Sequence, residues 1–402
     1  MVDDSIAVNA SSGSSRLHCS LFFLAAGIGI GAWASSLPLL AAGVGLDKGQ
    51  LGLVLLCFAF GAIVLMINIG RYIDRAISSR MLSLCGSLLF GASFLVIPLI
   101  GDPILLGAVV FFAGAAFGTL DVAMNTEASQ AERETGRHMM SSFHALFSIG
   151  NLAGAFLVGQ LISHGGDLRI CLGVAGVLVM LLTLSARMVR TKAAREAPDL
   201  HSETLSAKTV ALDARQRTLI LLLGSIAFLA LLAEGGMMDW TAIYMIDILG
   251  ASDSHGAYAF ALFAAAMAAG RLVGDAVTRR VGHVSLIRAG GLLCALSVGI
   301  LLLADSVVLC LAALALCGLG VANMVPAVFA RAGSVGADAA GKAISIVTTM
   351  GYSGLLLGPA LLGFLAQATS LVVSFGLIML AFLVIAAVTI RLDARLKQHA
   401  TR

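Results

Sequence analysis

Apolar positions along this chain run in stretches of about 20 residues, the length that crosses a hydrocarbon core about 30 Å thick as a helix. Twelve such stretches can be marked off, over residues 20–45, 51–70, 81–100, 104–128, 140–162, 169–188, 218–246, 256–275, 284–304, 307–330, 342–366 and 370–390. Short polar turns separate them, except for one long polar connection from Val189 to Arg217 near the middle of the chain. The pattern predicts an all-α polytopic membrane protein of twelve transmembrane helices. Its parts are an N-terminal tail (1–19), a six-helix bundle (20–188), a central loop (189–217), a second six-helix bundle (218–390) and a C-terminal tail (391–402). Ala32-Trp33-Ala34 has the form of a signal-peptidase site, but Asp3 and Asp4 replace the basic leader and the apolar run continues through Leu40, so the first stretch is kept as a spanning helix.

An internal repeat supports the division into two halves. Gly150, Gly154 and Gly159 return as Gly354, Gly358 and Gly363 at a constant offset of 204, and Gly70-Arg71 returns as Gly270-Arg271 at an offset of 200. The two tryptophans, Trp33 and Trp240, fall in the first helix of each half. The GxxxG spacing of Gly150/Gly154 and Gly354/Gly358 reads as close helix packing.

Composition agrees with a bilayer as solvent. Of 402 residues, 59% are hydrophobic and 12% charged, against about 25% charged in a typical soluble domain, and the mean hydropathy is +1.00. A net charge of +3 implies no nucleic-acid partner, so the placement of the charges matters more than their sum. Assigning alternate loops to one side puts 23 of the 25 Lys and Arg residues there and leaves Lys48 and Arg169 on the other. Under the positive-inside rule both termini are then cytoplasmic in a bacterial-type inner membrane, with no basic residue stranded mid-helix. The seven cysteines lie in or beside apolar segments without a CxxC pair and read as small apolar fillers. No cofactor or metal is implied.

Several motifs carry a family resemblance. The turn after the second helix reads GRYIDRAISSR and that after the eighth reads GRLVGDAVTRRVGH. Both resemble the signature loop of the major facilitator superfamily, matched at Gly70, Asp74, Arg75 and Arg80 and at Gly270, Arg271, Asp275, Arg279 and Arg280, with a departure at Ile77 where the family prefers glycine. A carboxylate at the membrane edge that pairs with arginine or caps a helix can hold a contact in one conformation and release it in the other. Helix 4 (GTLDVAMNTEASQAER) is similar to that of fucose permease in its Asp121 and Asn125, and helices 5 (FHALFSIGNLAGA) and 7 (EGGMMDWTAIYM) are similar to the YbjJ-like and rhizopine-transporter (MosC-like) members of the same branch. The resemblance implies a major facilitator fold and a proton-coupling role for Asp121. The acid that fucose permease carries in helix 1 has no counterpart here, so coupling by that pair is excluded.

The residues themselves nominate a cavity. An acid inside a spanning helix costs about 2.5 to 3.5 kcal/mol on insertion scales, so Asp121, about 10 Å inside Ala128 at ~1.5 Å per residue, faces either a solute path or a partner that ties helices together. In helix 7, Glu234, with Asp121 a candidate for proton coupling, precedes Gly235 and Gly236, and the double glycine is the expected site of a broken helix. Asp239, Trp240 and Tyr244 follow, with Trp240 and Tyr244 on one face; either acid, or Trp240, has an interfacial position as its alternative. His144 and Asn151 share a face of helix 5 toward Asp121, with a packing role as the alternative, and Asn323 beside Pro326 in helix 10 marks a cavity group or simply a kink. With Trp33 and Tyr352 as further aromatics, the set suits hydroxyls, ring faces and amines.

The expected function is secondary active transport of a small neutral or cationic solute, such as a sugar, cyclitol or amino-cyclitol, by a monomer in the lipid bilayer working by alternating access with the proton as coupling partner. Efflux of an amphipathic drug or metabolite, or a non-transporting sensor, are the alternatives. The loops hold no P-loop, nucleophile elbow or metal-ligand spacing, so no enzyme is expected.

Overall fold

A computed structural model describes residues 2–69, 73, 77–135, 139–189, 213–334 and 340–400. The described helices are α1 (Val2–Val44), α2 (Lys48–Ile69), α3 (Ser79–Val96), α4 (Pro103–Thr135), α5 (Met140–Ser163), α6 (Leu168–Met188), α7 (Ala214–Asp247), α8 (Asp253–Val281), α9 (His283–Leu303), α10 (Val307–Val321), α11 (Met324–Gly333), α12 (Ala340–Ala368) and α13 (Leu371–Ala400). They supply 12 spans long and apolar enough to cross a membrane, with α10 and α11 sharing the tenth. Helix backbone satisfies its own N–H and C=O groups, which is why apolar stretches in lipid take this form.

Each half is sewn together by glycine. Gly27 and Gly31 of α1 lie directly against the backbone of Phe147 and Asn151 on α5, and Gly150 and Gly154 return the contact on Leu24 and Ile28. A Cβ at any of the four would overlap a carbonyl, so the two backbones touch because no side chain stands between them. The second half repeats the device: Gly354 and Gly358 of α12 sit on Phe228 and Leu232 of α7. The third glycine of each series does something else. Gly159 faces the ring of Tyr258 on α8, and Gly363 faces Lys48 and Gly52 on α2, so both join one half to the other. The 204-residue repeat therefore encodes packing within a bundle with its first two glycines and packing between bundles with its third.

The contacts between halves gather at the end that carries the α1–α2 connection. There Lys48 Nζ pairs with Asp247 Oδ2 at 3.1 Å, the Lys48 amide donates to Gln367 Oε1 at 3.1 Å, and the rings of Phe156 and Tyr258 stand 5.8 Å apart.

The break expected in helix 7 is absent, and one appears in helix 10 instead. α7 runs unbroken through Gly235 and Gly236, which instead receive the Leu355 and Leu362 side chains of α12. The tenth span is interrupted at Ala322 and Asn323. The cause is local: the carbonyl of Ala322 would accept from the amide of residue 326, and Pro326 has none. Two glycines only permit a break, whereas a missing donor forces one carbonyl to find another partner.

Candidate functional site

The orphaned carbonyl organises the middle of the second half. Arg271 Nε donates to Ala322 O at 3.2 Å, and Arg271 Nη2 donates to Glu234 Oε1 at 3.2 Å. Glu234 is buried, and its carboxylate meets the guanidinium as an ion pair between α7 and α8. Asn323 Nδ2 completes the joint by donating to Gly270 O at 2.7 Å. Gly274 fits the same design, since a side chain there would overlap the Asn323 amide. Arg271, a helix-end residue by sequence, stands three residues before the end of the span Asp253–Gly274, in a helix that runs on to Val281. Gly270 and Arg271 belong to a joint around the broken tenth span and not to a loop beyond the helix.

This joint looks across a cleft at the first half. His144 on α5 is exposed to the cleft, packs edge-on against Phe23 at 5.2 Å and lies within electrostatic reach of Arg271. Tyr352 on α12, 44% exposed, lies within electrostatic reach of both Asp121 and Glu234. Asp121 is partly exposed, and Asn125 one turn on donates to its backbone carbonyl at 2.8 Å and more loosely to its Oδ1 at 3.4 Å. His144 and Asp121 of one half are thus within electrostatic reach of Arg271 and Tyr352, respectively, of the other. Asp239, a turn and a half beyond Glu234, is partly exposed.

Four nominated residues lie elsewhere. Trp33 is 3% exposed and stacks on Phe58 at 5.5 Å within the first bundle. Trp240 is fully buried and its indole N–H donates to Pro359 O at 3.1 Å, while Tyr244 packs on Phe375 with ring centroids 4.4 Å apart. These three aromatics are bundle core, because the large apolar faces that suit a solute also suit helix packing. Asn151 is buried against Gly31, and its Oδ1 has no partner among the described residues. Asn323 spends its amide on Gly270 and so acts in the joint. Of the proposed gate, Gly70, Asp74 and Arg75 lie outside the described residues, as does the Asp275 side chain; Arg279 and Arg280 are exposed in the last turn of α8.

One polar cluster escaped the sequence reading. His18 Nδ1 bonds to Ala186 O at 2.8 Å, His18 Nε2 to Glu127 Oε2 at 2.9 Å, and Ser83 Oγ donates to Glu127 Oε1 at 2.5 Å. Since a carbonyl can only accept, Nδ1 is the donor to Ala186 O. The cluster ties α1, α3, α4 and α6 together. The apolar run begins after His18, which places it in the tail (1–19) by sequence, whereas the first span starts at Ser14. The available signal was Glu127 itself, a second acid in helix 4 one and a half turns past Asp121.

The chain is similar to known proteins over nearly its whole length. The family model for the Major Facilitator Superfamily matches residues 19–354. An uncharacterised transporter of that type from Yersinia pestis is 34% identical over 93% of this chain and 94% of its own. The membrane protein MosC of Rhizobium meliloti is 29% identical over 87% and 83% respectively. Among solved structures, a point mutant of the nucleoside transporter NupG superposes with a TM-score of 0.77 at 13% identity, covering 95% of this chain and 99% of that one. A bacterial homologue of the lysosomal transporter Spinster, inward-facing and unoccupied, superposes at 0.72 with 15% identity, covering 96% and 97%. These likenesses in structure establish the fold, and the sequence matches establish the lineage. The chain, a multi-pass membrane transporter and not an enzyme, belongs to the major facilitator superfamily.

Proposed function

We propose that the protein is a proton-coupled secondary transporter that moves a small neutral or cationic polyhydroxylated solute by alternating access. The observation that carries this is the approach of Asp121 and His144 of one half to Tyr352 and the Glu234–Arg271 pair of the other, within electrostatic reach of each other. A site divided between two bundles that meet at one end is what a rocking motion needs, since each bundle keeps its own share of the contacts while access switches. The site belongs with a neutral or cationic solute because Glu234 already matches the charge of Arg271, leaving Asp121 and Asp239 as the unmatched groups. Phosphate esters and dicarboxylates would meet net negative charge. The hydroxyls of a sugar, cyclitol or amino-cyclitol both donate and accept, and so suit the carboxylate and amide of Asp121 and Asn125 as well as the guanidinium. Uptake of radiolabelled sugars and cyclitols into proteoliposomes under an imposed pH gradient tests this reading. Accumulation of dianions alone would overturn it.

The Lys and Arg distribution supports an orientation with both termini in the cytoplasm of an inner membrane, and a monomer is proposed as the working unit. Single cysteines at Lys48 and Asp253 are expected to react with an impermeant maleimide in intact cells, and one at Arg279 only after permeabilisation. Labelling of the Arg279 position from outside would reverse the topology.

In that orientation the Lys48–Asp247 pair closes the outer face, and it must open for the outward state. Both side chains are about a third exposed, 34% and 39%, so the pair contributes at most about 1 kcal/mol. Asp247→Asn is therefore expected to raise the outward-open population by no more than about fivefold. Spin labels at Gly43 and Ala251 report it as growth of a longer-distance component, and an unchanged distribution would remove the clasp from the cycle.

A further inference from the structure

The joint in the tenth span leaves part of a guanidinium unspent. Arginine carries five N–H groups in a planar fork. Nε is used on the Ala322 carbonyl and one N–H of Nη2 on Glu234, so three remain, two of them on Nη1. No further partner for them is recorded among the described residues. The side chain keeps 35% of its surface exposed while the carboxylate holding it keeps 10%, so the guanidinium remains accessible although its partner is buried. His144, across that cleft, lies within electrostatic reach of it.

The fork is also held still. Pro326 removes the donor that Ala322 O would have had, which makes a strong acceptor at one fixed place, and Glu234 fixes the second nitrogen. A guanidinium oriented at two points loses little further freedom when it binds a third group. Its free edge presents N–H groups at the spacing that receives two neighbouring oxygens, either of a carboxylate or of adjacent hydroxyls. The surrounding charge decides between them. Glu234 sits on the same fork and Asp121 opposite, so a carboxylate would stand between two others, whereas a pair of hydroxyls accepts from Arg271 and still has protons to give to Asp121.

We infer that Arg271 is the anchor of the transported solute, taking two adjacent hydroxyl oxygens of a polyol on its free edge while Glu234 and the Ala322 carbonyl hold it in place. The inference rests on the polyhydroxylated-solute reading above and adds the residue that selects within that class: solutes with vicinal hydroxyls bind, and Glu234 sets the discrimination against acids. Glu234 is a positioning residue in this scheme. The carbonyl freed by Pro326 gives the broken helix a purpose, since without it Arg271 would have one fixed point and not two.

Melting-temperature titrations of the purified full-length protein with myo-inositol, D-glucose, D-glucosamine, D-glucuronate and succinate test the inference. Wild type is expected to be stabilised by at least one of the first three. Arg271→Lys keeps the charge against Glu234 and loses the fork, so the half-saturating concentration should rise at least tenfold. Glu234→Gln keeps an acceptor for Nη2 and leaves the guanidinium unmatched, so preference should move at least tenfold toward D-glucuronate over D-glucose. A purely structural pair would not move that ratio. If a polyol stabilises wild type and both variants retain its affinity and preference, the anchor is wrong and the solute class stands. If none of the first three stabilises wild type, the solute class fails and the anchor fails with it.

Discussion

Glu234→Ala is expected to lower the stability of the folded protein by about 3 kcal/mol, and adding Arg271→Ala should restore most of that loss. The sign of the second step is the informative part. Removing one member of a buried ion pair leaves the other charge without a partner, which costs about 3 to 5 kcal/mol, whereas removing both takes away the desolvation cost as well. The lower end applies because Arg271 remains 35% exposed and water in the cleft screens it. The single variant also leaves a guanidinium bound only to the Ala322 carbonyl, so part of the loss comes from loosening α8 against the tenth span. Denaturation of the purified protein in mild detergent, followed by tryptophan fluorescence, gives the four corners of the double-mutant cycle. A coupling below about 0.5 kcal/mol would mean that the pair is solvated and that the joint is held by Asn323 and Gly270 alone.

How far the sequence foretold this arrangement differs by residue, and the reason is physical. The spans, their number and the two-fold division were legible because bilayer thickness fixes helix length and because duplicated halves keep the glycines that their packing requires. Asp121 and Glu234 were legible because an acid in an apolar run is costly wherever it points. By sequence Arg271 is a helix-end residue of the positive-inside kind, since it lies eight positions before Arg279 and the positive-inside pattern accounts for both equally well. Only the contact with α7 and the tenth span distinguishes them, and that is tertiary information. The one local cue is Pro326, whose missing N–H orphans the carbonyl of Ala322 four residues earlier.

The aromatics teach the opposite lesson. Trp33, Trp240 and Tyr244 have the chemistry of a sugar platform, but the same rings fill gaps between helices, and at 3%, 0% and 2% exposure they are used for that. Side-chain type does not separate the two uses, because the helical face decides and a helix apolar on all sides does not reveal its orientation. Tyr352 was the aromatic that reached the cleft, with Gly351 and Gly354 beside it turned toward α7. Small residues at adjacent positions were thus the better guide to which face packs and which is free.

Asp121→Asn is expected to abolish accumulation driven by a pH gradient while leaving exchange intact. A gradient of one pH unit stores about 1.4 kcal/mol per proton, enough for a tenfold concentration ratio when one proton moves with one solute. A carrier whose coupling carboxylate has become an amide can still bind solute and switch access, so counterflow of labelled against unlabelled solute proceeds, but the plateau under the gradient falls from about tenfold toward one. The substitution suits the test because it changes little else: Asn125 donates to the Asp121 backbone carbonyl at 2.8 Å, a bond the variant keeps, and the side chain has the same shape. Asp121→Glu serves as the partner variant, retaining a titratable group in the same cleft and therefore some coupled uptake. The outcome also discriminates among the acids of the site. Glu234 is held by Arg271, and a proton placed there would have to break that pair, whereas among the described residues Asp121 has only the loose 3.4 Å contact from Asn125 on its carboxylate. Unchanged pH-driven accumulation in Asp121→Asn would place the coupling proton on another group, and Asp239 of α7, partly exposed, would be the next to replace.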